Sequence, residues 1–284
     1  MGLFDFLGAN KRPKAPAGAA PMDRKFAALA KTAGDKRAQN YDRDEAMRAL
    51  CALGTPQAVD ALFKRFTFVI DPTITDQEEK ALAFEGIVRI GKGLCRVRVD
   101  GSSRKGDKGE LLPLETAEID ALREAVVESA RRFCKRAESL NWPLRVMREL
   151  LDDDSYLTEV LDLLLQYDTE YMRNVEPKVN LIAAMEGIVS EDARRAAENY
   201  LDDVNETVRF HAVETTFKQG DSVSLPALVK MMAGEESVRI KNKVAEGIMR
   251  LGWTVPEELR EALSQALIDA PPFRLSRDGK VVKD

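Results

Sequence analysis

A glycine inside a helix costs roughly 1 kcal/mol relative to alanine, yet this chain repeats one at the same point of a recurring segment. Residues 83–91 read AFEGIVRIG, residues 244–252 read VAEGIMRLG, and residues 184–189 read AMEGIV. The shared core is Glu85-Gly86-Ile87, Glu186-Gly187-Ile188 and Glu246-Gly247-Ile248. Residues 46–54 (AMRALCALG) fit the frame with Ala49 in the glycine's place, and residues 212–220 (AVETTFKQG) fit it more loosely. Three such glycines cost about 3 kcal/mol against a typical total stability of ~5–15 kcal/mol. The simplest reason for a tiny residue at Gly86, Gly187 and Gly247 is close backbone approach to a neighbouring helix. Gly54, Gly91 and Gly252 end the frame, where a glycine C-cap turns the chain into a second helix. From Gly187 the frame returns at Thr215 and Gly247, steps of 28 and 32 residues that suit one short helical hairpin per unit.

Apolar spacing supports helices throughout. In 255–267, Val255, Leu259, Ala262, Leu263, Ala266 and Leu267 share one face, with Thr254 as the expected cap and Glu257 completing a capping box. Ile119, Leu122, Val126, Val127, Ala130, Phe133 and Cys134 form a second stripe, and Thr55-Pro56 marks a third start. The helices are expected in pairs near 42–53 and 56–66, 75–91 and 115–138, and 143–152 and 155–167. Three more pairs follow near 176–189 and 191–201, 205–219 and 223–234, and 236–251 and 255–268. Short turns make the partners antiparallel. A composition of 44% hydrophobic, 6% aromatic and 32% charged residues suits helices better than sheets.

Before the pairs, residues 1–7 (MGLFDFL) form an apolar segment. Residues 8–21 read as a linker in which Pro13, Pro16 and Pro21 prevent a helix. The repeat domain is expected over 22–270 with an insertion at 92–113, and 271–284 forms a tail.

The run Asp203, Val208, Arg209, Ala212 and Phe217 before Gly220 resembles the D-x-x-x-x-V-R-x-x-A pattern of bacterial HEAT repeats. The similarity is to the short type first named from phycobilin lyases, and it covers roughly 40–268. That resemblance implies an armadillo-type all-α fold, an α-solenoid of about six antiparallel hairpins whose stacked second helices line a concave face. Such arrays bind extended protein surfaces. The expected function is therefore a non-catalytic scaffold or adaptor in a cytoplasmic assembly. The resemblance alone also raises a chromophore lyase, and a DNA-binding solenoid is a third reading.

Several chemistries fit poorly. With 43 basic and 48 acidic residues the net charge is −5, whereas nucleic-acid binding draws on a cationic surface. Cys51, Cys95 and Cys134 are far apart and form no C-x-x-C pair, so neither a disulfide framework nor a zinc site is expected. The single histidine, His211, reads as a packing residue on a helix, and no G-x-S-x-G elbow accompanies it. Residues 86–92 match G-x-x-x-x-G-K, but Gly93 follows where a hydroxyl is required, and the segment has a helical period. Asp152-Asp153-Asp154 and Asp202-Asp203 stand where helices begin and read as caps. No catalytic residue, cofactor or metal is expected.

The candidate binding residues lie in the insertion and the tail. Residues 92–108 carry Lys92, Arg96, Arg98, Arg104, Lys105 and Lys108 against Asp100 and Asp107, a local net charge of +4. Cys95, Val97 and Val99 alternate with Arg96 and Arg98 as a strand would. In the tail, Asp278-Gly279 between two extended runs predicts a two-residue hairpin with positive φ at both positions. Paired with residues 94–99, the hairpin would add Arg274, Arg277, Lys280 and Lys283 to a cationic patch for an acidic protein partner. Residues 1–7, followed by Lys11, Arg12 and Lys14, read either as a segment that folds back on the chain's own repeats or as one that docks on a partner or a membrane surface.

Overall fold

A computed structural model describes residues 21–94 and 114–284, with side chains from residue 24 onward. Among them are thirteen α-helices and one two-stranded sheet, the all-α class of HEAT-like helical pairs that the repeat implies. The helices are α1 (Pro21–Ala33), α2 (Asn40–Leu53), α3 (Pro56–Phe63), α4 (Thr73–Gly91) and α5 (Thr116–Cys134). There follow α6 (Asn141–Leu150), α7 (Asp153–Leu164), α8 (Glu176–Ala184) and α9 (Glu191–Asn199). The last are α10 (Glu206–Gln219), α11 (Leu225–Gly234), α12 (Val238–Leu251) and α13 (Glu257–Leu267). Strands β1 (Phe273–Leu275) and β2 (Val281–Lys283) end the chain. These residues form two compact units, one reaching Gly86 and the other comprising Ile87–Leu94 and Leu114–Asp284.

In the first unit α1, α2 and α3 pack on one another. Pro21 opens α1 rather than preventing it, since a proline in the first turn removes only an amide that has no helical partner. Thr55 caps α3 as expected, accepting from the Ala58 amide at 3.3 Å. Met47, Leu50, Val59 and Leu62 form the core. A Cβ on Gly86 would collide with Cys51 Sγ, so this repeat glycine does permit close approach. The same unit holds a buried charged cluster of Arg43, Arg65, Asp76, Glu79 and Lys80. Arg65, 0% exposed, donates to Glu79 at 2.6 Å and Asp76 at 2.8 Å. Arg43 holds the other edge of Glu79 at 3.0 Å, and Lys80 reaches Asp76 at 2.7 Å. Such burial is tolerable only because each charge is paired and hydrogen-bonded.

In the second unit the pairs stack in register. Helix α8 packs on α10 and α10 on α12, while α5 meets α7, α7 meets α9, and α11 meets α13. Gly247 faces the Phe217 ring so closely that a Cβ would overlap it. Gly187 behaves differently. It lies in the turn at 185–187 after α8, and a Cβ there would meet nothing within 4 Å. The expected close approach is therefore absent at this copy, because α8 stops three residues before the glycine.

The end glycines divide too. Gly54 and Gly252 are left-handed C-caps with φ of 65° and 64°. Gly91 is not a cap; a Cβ there would fall 2.7 Å from Leu150 Cδ1. The α4 turn closes two residues later at Gly93, where the Leu94 amide donates to the Arg89 carbonyl at 2.8 Å.

The tail hairpin is present, pairing Phe273 with Lys283 and Leu275 with Val281. Its turn is longer than expected. The Gly279 amide donates to the Ser276 carbonyl at 3.0 Å, and Ser276 to the Lys280 carbonyl at 2.8 Å. Only Gly279 has positive φ, so Asp278 keeps an ordinary conformation in a three-residue, glycine-bulged turn. The hairpin stands on α12 and α13. The Val255 amide donates to the Gly279 carbonyl at 2.8 Å, and Thr254 bridges Lys280. That pairing takes residues 254–255 out of the helix. Thus α13 starts at Glu257 after Pro256, with no side-chain cap from Thr254.

Candidate functional site

The expected cationic patch is only partly described. Arg96, Arg98, Arg104, Lys105 and Lys108 lie outside the described residues, as do residues 1–20 and all but Leu94 of the strand expected at 94–99. Lys92 extends from the end of α4 to Glu149 on α6 at 2.7 Å, where its ammonium holds that carboxyl below its usual range. On the hairpin Arg274 pairs with Asp284, while Arg277 and Lys280 are exposed. The described cations thus occupy two places, the α4–α6 contact and the hairpin.

A groove of about 510 Å³ opens between α7 and α9. Leu161, Leu164, Leu165, Tyr167, Ala196 and Tyr200 give it an apolar lining. Leu165 is 84% exposed at the end of α7, and Tyr171 in the following loop is 81% exposed. The groove lies between α7 and α9, second helices of adjacent pairs, and is lined as well by the start of the 165–175 loop that leads from α7 to α8. That loop is tied down from within. Lys178, 1% exposed, donates to the carbonyls of Asp168 at 2.7 Å and Glu170 at 3.1 Å, and to Asp203 at 2.6 Å. Asp203 is therefore a buried ion partner rather than a cap; Asn205 caps α10, accepting from Thr207 at 2.9 Å. Asp152 does cap α7, accepting from Ser155 at 2.8 Å. In the HEAT-like motif Val208, Ala212 and Phe217 are core, and Arg209 clamps Glu235 at 2.8 Å while donating to the Asp203 carbonyl at 2.9 Å.

One titratable cluster was not foreseen. Glu186 in the turn after α8 meets His211 and Glu214 on α10, their candidate donor atoms all within 4.8 Å of one another. Burial, then the charge of Glu214, pushes the Glu186 carboxyl up. The signal in the sequence was the H-x-x-E spacing of His211 and Glu214, one turn apart; Glu186 comes from the preceding repeat and had no local signature. Elsewhere, burial pushes the Cys134 thiol up to about 12, which removes its thiolate at neutral pH. Residues 86–91 are helical, a geometry that cannot cradle a phosphate.

Residues 42–62 match the PBS lyase HEAT-like repeat family. The match spans α2 and α3, the pair in which Ala49 takes the glycine's place on α2. No curated protein matches the chain. No helix among the described residues is long and apolar enough to cross a membrane.

Proposed function

We propose, from the premise of a chain that carries a PBS lyase-type HEAT-like repeat in an all-helical array, that it is a non-catalytic scaffold or adaptor. It holds a protein partner in a cytoplasmic assembly. The observation that carries this reading is the open apolar groove between α7 and α9, with the exposed Leu165 in its lining. A contiguous apolar lining open to the surface is where a protein partner can bury its own apolar side chains. Arg277 and Lys280 on the hairpin, with the insertion cations, add attraction for an acidic partner surface. The three cysteines, with no C-x-x-C pair among them, suit a reducing cytoplasm.

A second reading, a chromophore lyase, is favoured by the name of the matched repeat family. Purification from the native cell separates the two. A colourless protein that brings down a stoichiometric partner, weakened by deletion of residues 92–108, supports the scaffold. Visible absorbance from a bound tetrapyrrole without a protein partner supports the lyase.

A further inference from the structure

We propose that Glu186, His211 and Glu214 hold one divalent transition-metal ion, of the zinc kind, that staples one repeat to the next. The donor set is two carboxylates and an imidazole, which suits zinc and its spectroscopic substitute cobalt. The donors come from two stacked pairs: Glu186 follows α8, and His211 and Glu214 share one face of α10.

Three features of the geometry point the same way. His211 Nδ1 lies 3.4 Å from the Glu214 carboxylate, with no hydrogen bond between them. Bonds of about 2.0–2.1 Å at the tetrahedral angle set neighbouring donors about 3.4 Å apart, so this pair already spans one edge of a zinc site. Nδ1 itself is out of contact with solvent and has no hydrogen-bond partner, an orphan that a metal would satisfy. Glu214 is also oriented. Its Oε1 accepts from Lys243 Nζ at 2.7 Å, which leaves Oε2 directed at His211, as outer partners of metal-binding carboxylates do. The ammonium of Lys243 also opposes a cation, so the site is one of moderate affinity. The three protein donors leave a fourth position for water or for a donor from a bound partner.

The test is titration of the full chain, stripped with a chelator, by Co²⁺ followed by visible absorbance, with Zn²⁺ as competitor. The expected result is one Co²⁺ per chain with a tetrahedral-type visible band, lost as Zn²⁺ displaces it. His211→Gln and Glu186→Gln should each weaken binding at least tenfold, while Glu246→Gln leaves it within twofold. Circular dichroism checks that each variant is folded, and Glu186→Gln, in a turn, perturbs packing least. No visible band, or Co²⁺ uptake by folded His211→Gln or Glu186→Gln equal to that of the parent, overturns the proposal.

Discussion

The Phe217 ring on α10 occupies the space that a side chain on residue 247 of α12 would need. Phe217 is buried and lies against Trp253, with ring centroids 5.5 Å apart, so it cannot swing aside. Gly247→Ala should therefore cost about 1–3 kcal/mol by overpacking. Gly187→Ala meets open space at an ordinary φ and should be neutral or stabilising by about 0.4–1 kcal/mol. Urea unfolding of the two variants checks the contrast; equal destabilisation would refute it.

That contrast shows how much of the fold was legible in the sequence. The period of the apolar residues located both members of the six expected pairs, because packed helices must present one apolar stripe, but α1, which packs on α2, was not among them. The shared E-G-I spelling, however, conceals two situations, inside a helix at Gly86 and Gly247 and beyond one at Gly187. Spelling cannot tell them apart, since the difference depends on where the preceding helix frays. Thr254 likewise looked like a cap until a strand from the tail captured its backbone. Asp203 looked like a cap because its partner, Lys178, is 25 residues away. The groove and the Glu186–His211–Glu214 cluster depend on contacts between repeats, which no local pattern records.

In the first unit, Arg65→Met should be severely destabilising, by about 3–5 kcal/mol, because it leaves Asp76 and Glu79 buried without their shared cation. Thermal or urea unfolding measures the loss.

The same cluster sets an acid limit. Burial alone would raise the Asp76 carboxyl, but hydrogen bonds from Lys80, Arg65 and the Ile70 amide outweigh it and hold the group below 3.8. A depressed folded value means that the stabilisation is complete above the unfolded value and is lost as pH falls through the folded one. Stability should therefore decline below about pH 4, and Arg65→Met should move that decline to higher pH. A pH series of urea midpoints reads both.

Lys178→Met should free the 165–175 loop by removing its bonds to the Asp168 and Glu170 carbonyls and stranding Asp203. Faster hydrogen exchange at 165–175, with α12 and α13 unchanged, is the expected pattern.

Deleting residues 271–284 should expose the Val255 amide, which now donates to Gly279, and loosen the start of α13. Exchange at Val255 should rise by at least tenfold. Faster exchange at 94–99 in the same experiment would extend the hairpin's contacts to the cationic insertion.

The most direct test of the scaffold reading places a charge in the α7–α9 groove. Leu165 is 84% exposed, so Leu165→Asp should change folding stability by no more than about 0.5 kcal/mol. The measurement is crosslinking mass spectrometry of the chain recovered from its native cell, parent beside variant. The account predicts crosslinks from one stoichiometric partner clustered around α7 and α9 in the parent and lost in Leu165→Asp. A partner bound equally well by the variant, or a parent chain recovered with no protein partner, would contradict it.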